Sequence, residues 1–418
     1  MLCIYACHRI IRDFSEGEYM KFVFASDSFK GTISSARTAE LLTMAARETF
    51  PDCETVSVPI ADGGEGTVDA VIEALSGQRR SVQVHDALMG ELTASYGIYP
   101  LSQGGVAGSG AIIEMSAASG ITLIPEDALN PLHTSTYGTG ELIRDALDYG
   151  CRRITIAIGG SATNDGGIGA IRALGGRFLG ADGRELGCRT SDDSTEYYGG
   201  TGADLINIAS IDLSGLHPAI QETEITVLCD VDNPLTGPDG ATFTFGRQKC
   251  SPGMDPDELN ETLSLLENGM NNYARVLGKT FGIDANSVPG VGAAGGLGAA
   301  LCYMLGAVLS SGIETILRMI DFDAHLTGAD LCITGEGRLD WQSVHGKTIS
   351  GIAAHCSQQQ IPLVAIVGCT GEGFEDAYQI GIRQIIRTSE GLPLEEAIAN
   401  AEECYLRTAR AFFTGLKG

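Results

Sequence analysis

The chain has 418 residues, of which 44% are hydrophobic, and a composition typical of globular proteins. Its formal net charge of −26 excludes a general nucleic-acid binder, because a phosphate backbone requires a basic face. No apolar run reaches the roughly 18 residues of a membrane-spanning helix, so we expect no membrane insertion. Twelve cysteines without a CxxC pair indicate reduced thiols and predict a cytoplasmic protein.

The N-terminal part predicts an extension followed by a βαβ unit. Residues 1–19 are too interrupted by charge to form a signal peptide, and we expect them to be poorly ordered. Strand-like residues 22–25 and 56–60 are followed by the polar loops SDSFKGT and ADGGEGT, each leading into a helical pattern. This alternation predicts parallel strands with polar loops at their ends.

The middle of the chain changes character before the alternation returns. Residues 81–124 resemble short strands separated by turns, which favours antiparallel pairing. Pro256 begins a helical pattern whose apolar stripe predicts a core face. Residues 331–334 and 363–367 are further strand-like segments, and a closing helix follows Pro393.

The stretch 154–169, ITIAIGGSATNDGGIG, combines a buried parallel strand, a loop of small residues with one carboxylate, and a helix from about Ile168. Ligands of open α/β sheets bind beyond the carboxyl ends of the strands. We therefore predict an anion site here.

These patterns together predict an α/β protein of two domains. The first is a Rossmann-like domain with a parallel sheet, formed by 20–80, 130–180 and 286–418. The second is a mixed α/β domain formed by 81–129 and 181–285.

Five predicted strand ends carry carboxylates beside glycines: Asp27, Asp62 with Glu65, Asp165, Asp230 with Asp232, and Glu336 with Asp340. Any one of them alone is commonly a helix cap. Their repetition at successive strand ends points instead to oxygen ligands for Mg²⁺ carried by a nucleotide, or to a group that accepts a hydroxyl proton.

Lysine is scarce, and three of the six lysines lie in loops rich in Gly and Ser. These three, Lys30, Lys249 and Lys347, indicate contacts with anions, although a surface position is the alternative for each.

Two nucleotide-binding patterns fail on inspection. Gly346, Lys347 and Thr348 would end a Walker loop, but Trp341 stands where that loop requires its first glycine. Gly290 to Gly295 match a dinucleotide fingerprint, but the preceding NSVP is a poor strand. A nicotinamide-dependent enzyme and a non-catalytic metabolite sensor remain as alternatives.

Six motifs in this order resemble those of bacterial glycerate kinases, from Met20 nearly to the C-terminus. They are SDSFKGTISS (26–35), ADGGEGT (61–67), GGSATNDGG (159–167), DVDNPLTGPDGA (230–241), GVGAAGGLGAAL (290–301) and TGEGRLDWQSVHGKT (334–348). The resemblance implies ATP-dependent phosphorylation of D-glycerate, commonly at the 2-hydroxyl, with Mg²⁺ and an active site in the cleft of a two-domain α/β fold. It implies small-molecule substrates, and the sequence leaves a homo-oligomer open.

Under this hypothesis the candidate residues form three groups, and the sequence does not separate the proton acceptor from the metal ligand. We favour Asp165 slightly, because glycine-rich elements flank it. The catalytic candidates are Asp165, Lys30, Asp62 and Lys347; the cofactor-binding candidates are Gly159, Gly160, Ser161, Thr163, Asn164, Gly295, Gly296 and Glu336; the metal candidates are Asp230 and Asp340.

Overall fold

The computed structural model describes residues 19–29, 31–61, 63–64, 66–101, 108–190, 195–197, 199–344 and 348–417. The predicted extension therefore lies outside the described residues, apart from Tyr19. The strands in chain order are β1 Lys21–Ser26, β2 Glu54–Ser57, β3 Gln78–His85, β4 Glu91–Leu101, β5 Gly108–Glu114, β6 Arg153–Ala157, β7 Arg177–Leu179, β8 Cys188–Thr190, β9 Thr195–Tyr197, β10 Ser210–Asp212, β11 Glu224–Leu228, β12 Val308–Ser310, β13 Leu331–Gly335, β14 Arg338–Leu339, β15 Leu363–Val367, β16 Cys369–Thr370 and β17 Ile382–Arg387.

The α-helices in chain order are α1 Ser35–Thr49, α2 Thr67–Ala74, α3 Ser116–Ser119, α4 Tyr137–Tyr149, α5 Ile168–Ala173, α6 Ala241–Phe245, α7 Pro256–Phe281, α8 Ala293–Leu305, α9 Gly312–Met319, α10 Phe322–Leu326, α11 Thr348–Gln358, α12 Leu394–Ala399 and α13 Ala401–Leu416. Short 3₁₀ helices connect several of them, among them Arg247–Lys249 and Trp341–Val344. Among the described residues, no helix combines the length and the apolar character that crossing a bilayer would require.

The described residues separate into two compact units. Unit 1 is formed by 1–62, 69–75 and 313–418, and unit 2 by 63–68 and 76–312. These boundaries differ from the predicted ones, because 130–180 and 286–312 belong with the middle of the chain and not with the N-terminal strands. The physical reason is strand pairing: β6 lies between β5 and β11, so its segment is bonded into the sheet of unit 2.

Unit 1 contains a parallel sheet with the strand order β17-β15-β13-β1-β2. This confirms the parallel sheet of the predicted fold class. Phe22 and Phe24 of β1 are fully buried and pack against Phe413 of α13, with ring centroids 5.3 and 6.3 Å apart. Aromatic side chains bury large apolar areas, so this cluster fixes α13 against the sheet.

Unit 2 contains a mixed sheet with the strand order β12-β11-β6-β5-β4-β3. The strands β3, β4 and β5 pair antiparallel, as predicted for this stretch, and the remaining pairs are parallel. The predicted helix from Pro256 is α7, which the side chain of Asp255 caps at its start and Gly282 ends at φ +70°. Its buried stripe joins the core of unit 2 at Met270 and Tyr273.

Candidate active site

The loop after β6 is the first of two candidate sites, and glycines shape it. Gly160, Gly166 and Gly167 adopt φ values of +73°, +64° and +75°, which side chains with a Cβ rarely adopt. The segment after β5 holds the loop from one side, since the N–H of Ile121 donates to the carbonyl of Gly160 at 2.9 Å. This part of the loop is therefore fixed by backbone hydrogen bonds.

Two of the sequence motifs converge at this loop. A Cβ placed on Gly159 would lie 3.4 Å from the Cα of Gly64, and one placed on Gly63 would lie 3.1 Å from the Cβ of Leu228. Gly63 and Gly64 belong to the ADGGEGT motif, and Leu228 ends β11 directly before the DVDNPL motif. The carboxyl ends of β6 and β11 thus meet the glycines of a third motif within unit 2, as expected for ligand loops of an α/β sheet.

Gly159, Gly160 and Ser161 form the accessible rim of the loop. The two glycines are exposed and Ser161 is half-buried. None of the described residues accepts a hydrogen bond from the backbone N–H groups of these three. Adjacent N–H groups without an acceptor attract anions, so the rim can bind a phosphate or a carboxylate.

Asp165 lies beneath this rim with no solvent exposure. Its Oδ2 accepts hydrogen bonds from the N–H and the hydroxyl of Thr136 at 2.8 and 2.7 Å and from the N–H of Gly169 at 3.2 Å, and its Oδ1 accepts one from the N–H of Gly167 at 3.0 Å. Burial raises the pKa of Asp165, against the effect of these hydrogen bonds. Both carboxylate oxygens of Asp165 thus accept hydrogen bonds from the protein.

This geometry favours a positioning role for Asp165 over the predicted contact with metal or substrate. The carboxylate of Asp165 also occupies the N–H groups of Gly167 and Gly169 at the start of α5. A helix start satisfied by a carboxylate offers no N–H groups to phosphate.

Lys249 lies beneath the same loop, although it was not among the candidate site residues. Its side chain is 1% exposed, and its Nζ donates to Ser161 Oγ at 2.8 Å and to the carbonyl of Thr163 at 2.6 Å. Burial lowers the pKa of Lys249 to about 7, and Asp165 acts in the opposite direction. Because the ammonium donates to Ser161 Oγ, the hydroxyl hydrogen of Ser161 can point outward to an anion.

The second candidate site is a cavity of about 640 Å³ in unit 1. Asp27 follows β1, Glu336 follows β13 and Cys369 follows β15, and all three line this cavity with Asp340. Thr348, the first residue of α11, donates its hydroxyl to Asp27 Oδ2 at 3.2 Å. The cavity therefore lies at the carboxyl ends of three adjacent parallel strands, the usual ligand position in such sheets.

Comparisons with known proteins agree with the motifs. A family model described as the glycerate kinase family matches residues 22–417. The chain belongs to the glycerate kinase family. It is 42% identical to the glycerate kinase of Bacillus subtilis strain 168 over 95% of this chain and 98% of that protein.

Two further relatives have similar coverage. The glycerate 2-kinase of Escherichia coli K12 is 42% identical over 94% of this chain and 96% of that protein. A crystal structure described as glycerate kinase 2 from Salmonella typhimurium LT2 superposes with a TM-score of 0.81 at 39% identity, covering 96% of this chain and 99% of that one. The predicted resemblance is confirmed, and the chain is a kinase.

Three predicted catalytic residues of this glycerate kinase family member, Lys30, Asp62 and Lys347, lie outside the described residues. Thr163 and Asn164 are fully buried. The structure thus brings the predicted cofactor-binding residues of 159–164 into one loop, of which only the first three face solvent.

Gly295 and Gly296 support the loop from behind. Both are buried with positive φ, and the carbonyl of Gly295 accepts a hydrogen bond from the N–H of Gly166 at 2.9 Å. A Cβ on Gly295 would lie 2.1 Å from the carbonyl oxygen of Thr163. This differs from the predicted cofactor contact, because the space beside Gly295 is filled by the loop itself.

We expect Gly295→Ala to lower the free energy of unfolding by about 2–5 kcal/mol, from the strained φ and the overlap with Thr163. Gly306→Ala is the matched control, since Gly306 ends the same helix at φ +71° and a Cβ there meets nothing within 4 Å. Its expected cost is about 1 kcal/mol. Urea denaturation measures both, and equal costs would contradict the packing described here.

The depressed pKa of Lys249 predicts that stability rises with pH. Between about pH 7 and the unfolded value near 10.5, the unfolded chain binds a proton at this position that the folded chain has lost. The free energy of unfolding should then increase by up to about 1.4 kcal/mol per pH unit from this residue. Lys249→Met should lack this contribution, so parallel curves for the two proteins from pH 7 to 9 would contradict it.

The predicted metal candidates lie in different units. Asp230 of unit 2 is exposed, with its Oδ1 accepting from the N–H of Gly312 at 2.8 Å, and Asp340 of unit 1 pairs with Arg338 at 3.5 Å. Within the described ranges, no three Asp, Glu, His or Cys side chains form a complete metal site. The carboxylates of the cavity nevertheless suit Mg²⁺, which usually takes one or two protein carboxylates and completes its shell with water and phosphate.

Proposed function

We propose that the protein transfers the γ-phosphoryl group of ATP to the 2-hydroxyl of D-glycerate in the cytoplasm. The observation that carries the proposal is that the buried side chain of Lys249 donates a hydrogen bond to Ser161 beneath the accessible rim 159–161 of unit 2. Family membership supports glycerate as the substrate, and the name of the E. coli relative, a glycerate 2-kinase, supports the 2-hydroxyl. Scattered cysteines without a CxxC pair suit a reducing compartment.

The rim would bind an anionic group of the substrates. Its three N–H groups and the Ser161 hydroxyl are donors without an acceptor among the described residues, and the charge of Lys249 makes this rim electropositive. Preorganised donors stabilise charge that develops on a transferring phosphoryl group. In this proposal Asp165 holds the loop in shape and touches neither substrate.

The chemical step is an in-line displacement. The 2-hydroxyl oxygen of glycerate forms a bond to the γ-phosphorus, the bond from that phosphorus to the bridging oxygen breaks, and the electron pair leaves with ADP. The hydroxyl proton goes to a carboxylate, for which Asp62 remains our candidate. Lys30 and Lys347 would neutralise the phosphoryl group or the glycerate carboxylate, as the sequence predicts.

Mg²⁺ fits the carboxylates of the unit 1 cavity. Asp27 and Glu336 would hold it together with phosphate oxygens, and Asp340 would add a donor if its pairing with Arg338 opened. When bound, the ion would neutralise charge on the phosphates of the nucleotide.

Product analysis tests the proposal directly. The purified protein should release ADP only when D-glycerate is present, and L-glycerate is the matched control. The proton-coupled ³¹P spectrum of the product should show a doublet, because the 2-position carries one hydrogen. A triplet would assign the 3-hydroxyl instead, and the absence of glycerate-dependent ADP release would reject ATP as the donor.

A further inference from the structure

The lining of the unit 1 cavity contains two chemically different groups of residues. Asp27, Glu336 and Asp340 follow the parallel strands and, with the hydroxyl of Thr348, form what we call the carboxylate end. The apolar wall consists of side chains of the segment that leads through α12, including Leu392, Leu394 and Ile398. Leu394 and Ile398 are 72% and 52% exposed, so apolar surface faces the open cavity without a protein partner covering it fully.

We propose that this cavity binds the adenine nucleotide, with the base on the apolar wall of α12 and the phosphates toward the carboxylate end. The inference rests on the proposed use of ATP. It moves the base away from the loop 159–164, where the sequence predicts the nucleotide, and places it on α12, which the sequence did not connect with a nucleotide.

Size and polarity favour a nucleotide over glycerate in this cavity. About 640 Å³ lies in the range of roughly 300–1,000 Å³ that holds drug-sized ligands, whereas glycerate is a small acid without apolar surface. A purine ring is flat and apolar on both faces, so it gains from covering Leu394 and Ile398. Neither wall residue would stabilise glycerate.

Charge also favours a metal-bound polyphosphate at the carboxylate end. Among the described residues of the lining, Asp27, Glu336 and Asp340 are acidic, and Arg338, which pairs with Asp340, is basic. These carboxylates disfavour an anion that arrives without a cation. A nucleotide that arrives with a divalent cation uses the same carboxylates as ligands.

The experiment combines a variant of the apolar wall with direct binding of ADP. Ile398→Asp places a charge where the base would cover it, so the Kd for ADP measured by calorimetry should rise at least tenfold. Leu265→Asp is the matched control, since Leu265 is 51% exposed on α7 and does not line the cavity. It should leave the Kd unchanged, and neither variant should move the KM for glycerate more than twofold.

The single tryptophan provides a readout of position. Trp341 is 56% exposed and lies between Asp340 and Gln342, both of which line the cavity. ADP should change its fluorescence emission, and D-glycerate alone should not.

The outcomes separate the inference from the proposed function. Glycerate-dependent ADP release with an unaltered Kd in Ile398→Asp overturns the inference and leaves the function standing. A rise in the KM for glycerate in place of the Kd for ADP overturns it as well. A wild-type protein that neither binds ADP nor releases it with glycerate overturns both.

Discussion

Lys249→Met should lower kcat/KM for glycerate by about 10²-fold or more, while the protein remains folded. Methionine keeps the length of the side chain but removes the cation and the hydrogen bond to Ser161. The rim would then lose both its positive charge and the donor that turns the Ser161 hydroxyl outward. Steady-state kinetics measures the loss, and far-UV circular dichroism checks the fold.

Lys279→Met is the matched control, because Lys279 is an exposed lysine on α7 in the same unit. It should retain wild-type kinetics. A Lys249→Met enzyme within threefold of wild type would reject the role of this cation. Ser161→Ala should lose about tenfold, since the backbone donors of the rim remain.

The protonation of Lys249 should also appear in the pH profile of the wild-type enzyme. Its pKa of about 7 in the free protein means that the cation is lost as the pH rises through that value. Because kcat/KM reports groups of the free enzyme, its logarithm should fall above about pH 7. A profile that stays flat to pH 9 would contradict a requirement for the charged lysine.

Asp165→Asn should lower the free energy of unfolding by about 1–3 kcal/mol. It should also move the fall of log kcat/KM on the alkaline side, here called the alkaline limb, to lower pH. The new amide nitrogen must face one of the N–H groups that Asp165 now accepts from, which leaves that donor unsatisfied. Loss of the carboxylate also removes the charge that supports protonation of Lys249, so the pKa of Lys249 should fall further. Urea denaturation and the kcat/KM profile measure the two effects.

Asp204→Asn is the control that separates the loss of a buried hydrogen bond from the loss of negative charge near Lys249. Asp204 is a buried aspartate of unit 2 that accepts from the N–H of Thr201 at 2.8 Å. We expect a similar loss of stability and an unmoved pH limb. If the alkaline limb of Asp165→Asn stays in place, Asp165 has only a structural role. If its free energy of unfolding equals that of the wild type, the hydrogen bonds described here are contradicted.

Local patterns of the sequence predicted individual elements well. The apolar alternation before Gly159 gave β6, and the stripe from Pro256 gave α7, because the buried face of an element imposes its period on the sequence. The sheet that β6 joins was not predictable in the same way. The sequences of buried parallel strands are similar whichever sheet they join. Only the long-range pairing with β5 and β11 places β6 in unit 2.

The sequence predicted which motifs form the candidate site, but not the role of each residue within them. Asp165 followed by two glycines suits a catalytic loop and a helix cap equally, and only its four hydrogen bonds distinguish them. Lys249 had a signal, as a lysine in a glycine-rich loop. Its partner Ser161 is 88 residues away, and no sequence spacing indicates that contact. Gly295 matched a ligand-binding pattern although its φ serves internal packing.

The strand order of the parallel sheet in unit 1 determines when its strands can pair during synthesis on the ribosome. β1 lies between β2 and β13, and Lys21 is joined to Asp330 by a 2.9 Å hydrogen bond across 309 residues. At a synthesis rate of about 5–20 residues per second, β13 is made roughly 15–60 s after β1. Phe413, which packs against Phe22, is made later still. Unit 2 ends at residue 312 and is therefore made before β13 and α13. Until then β1 can pair with β2 alone, so the nascent chain carries a strand with one unpaired edge and exposed aromatic rings. Early release or truncation near the C-terminus is therefore a route to aggregation.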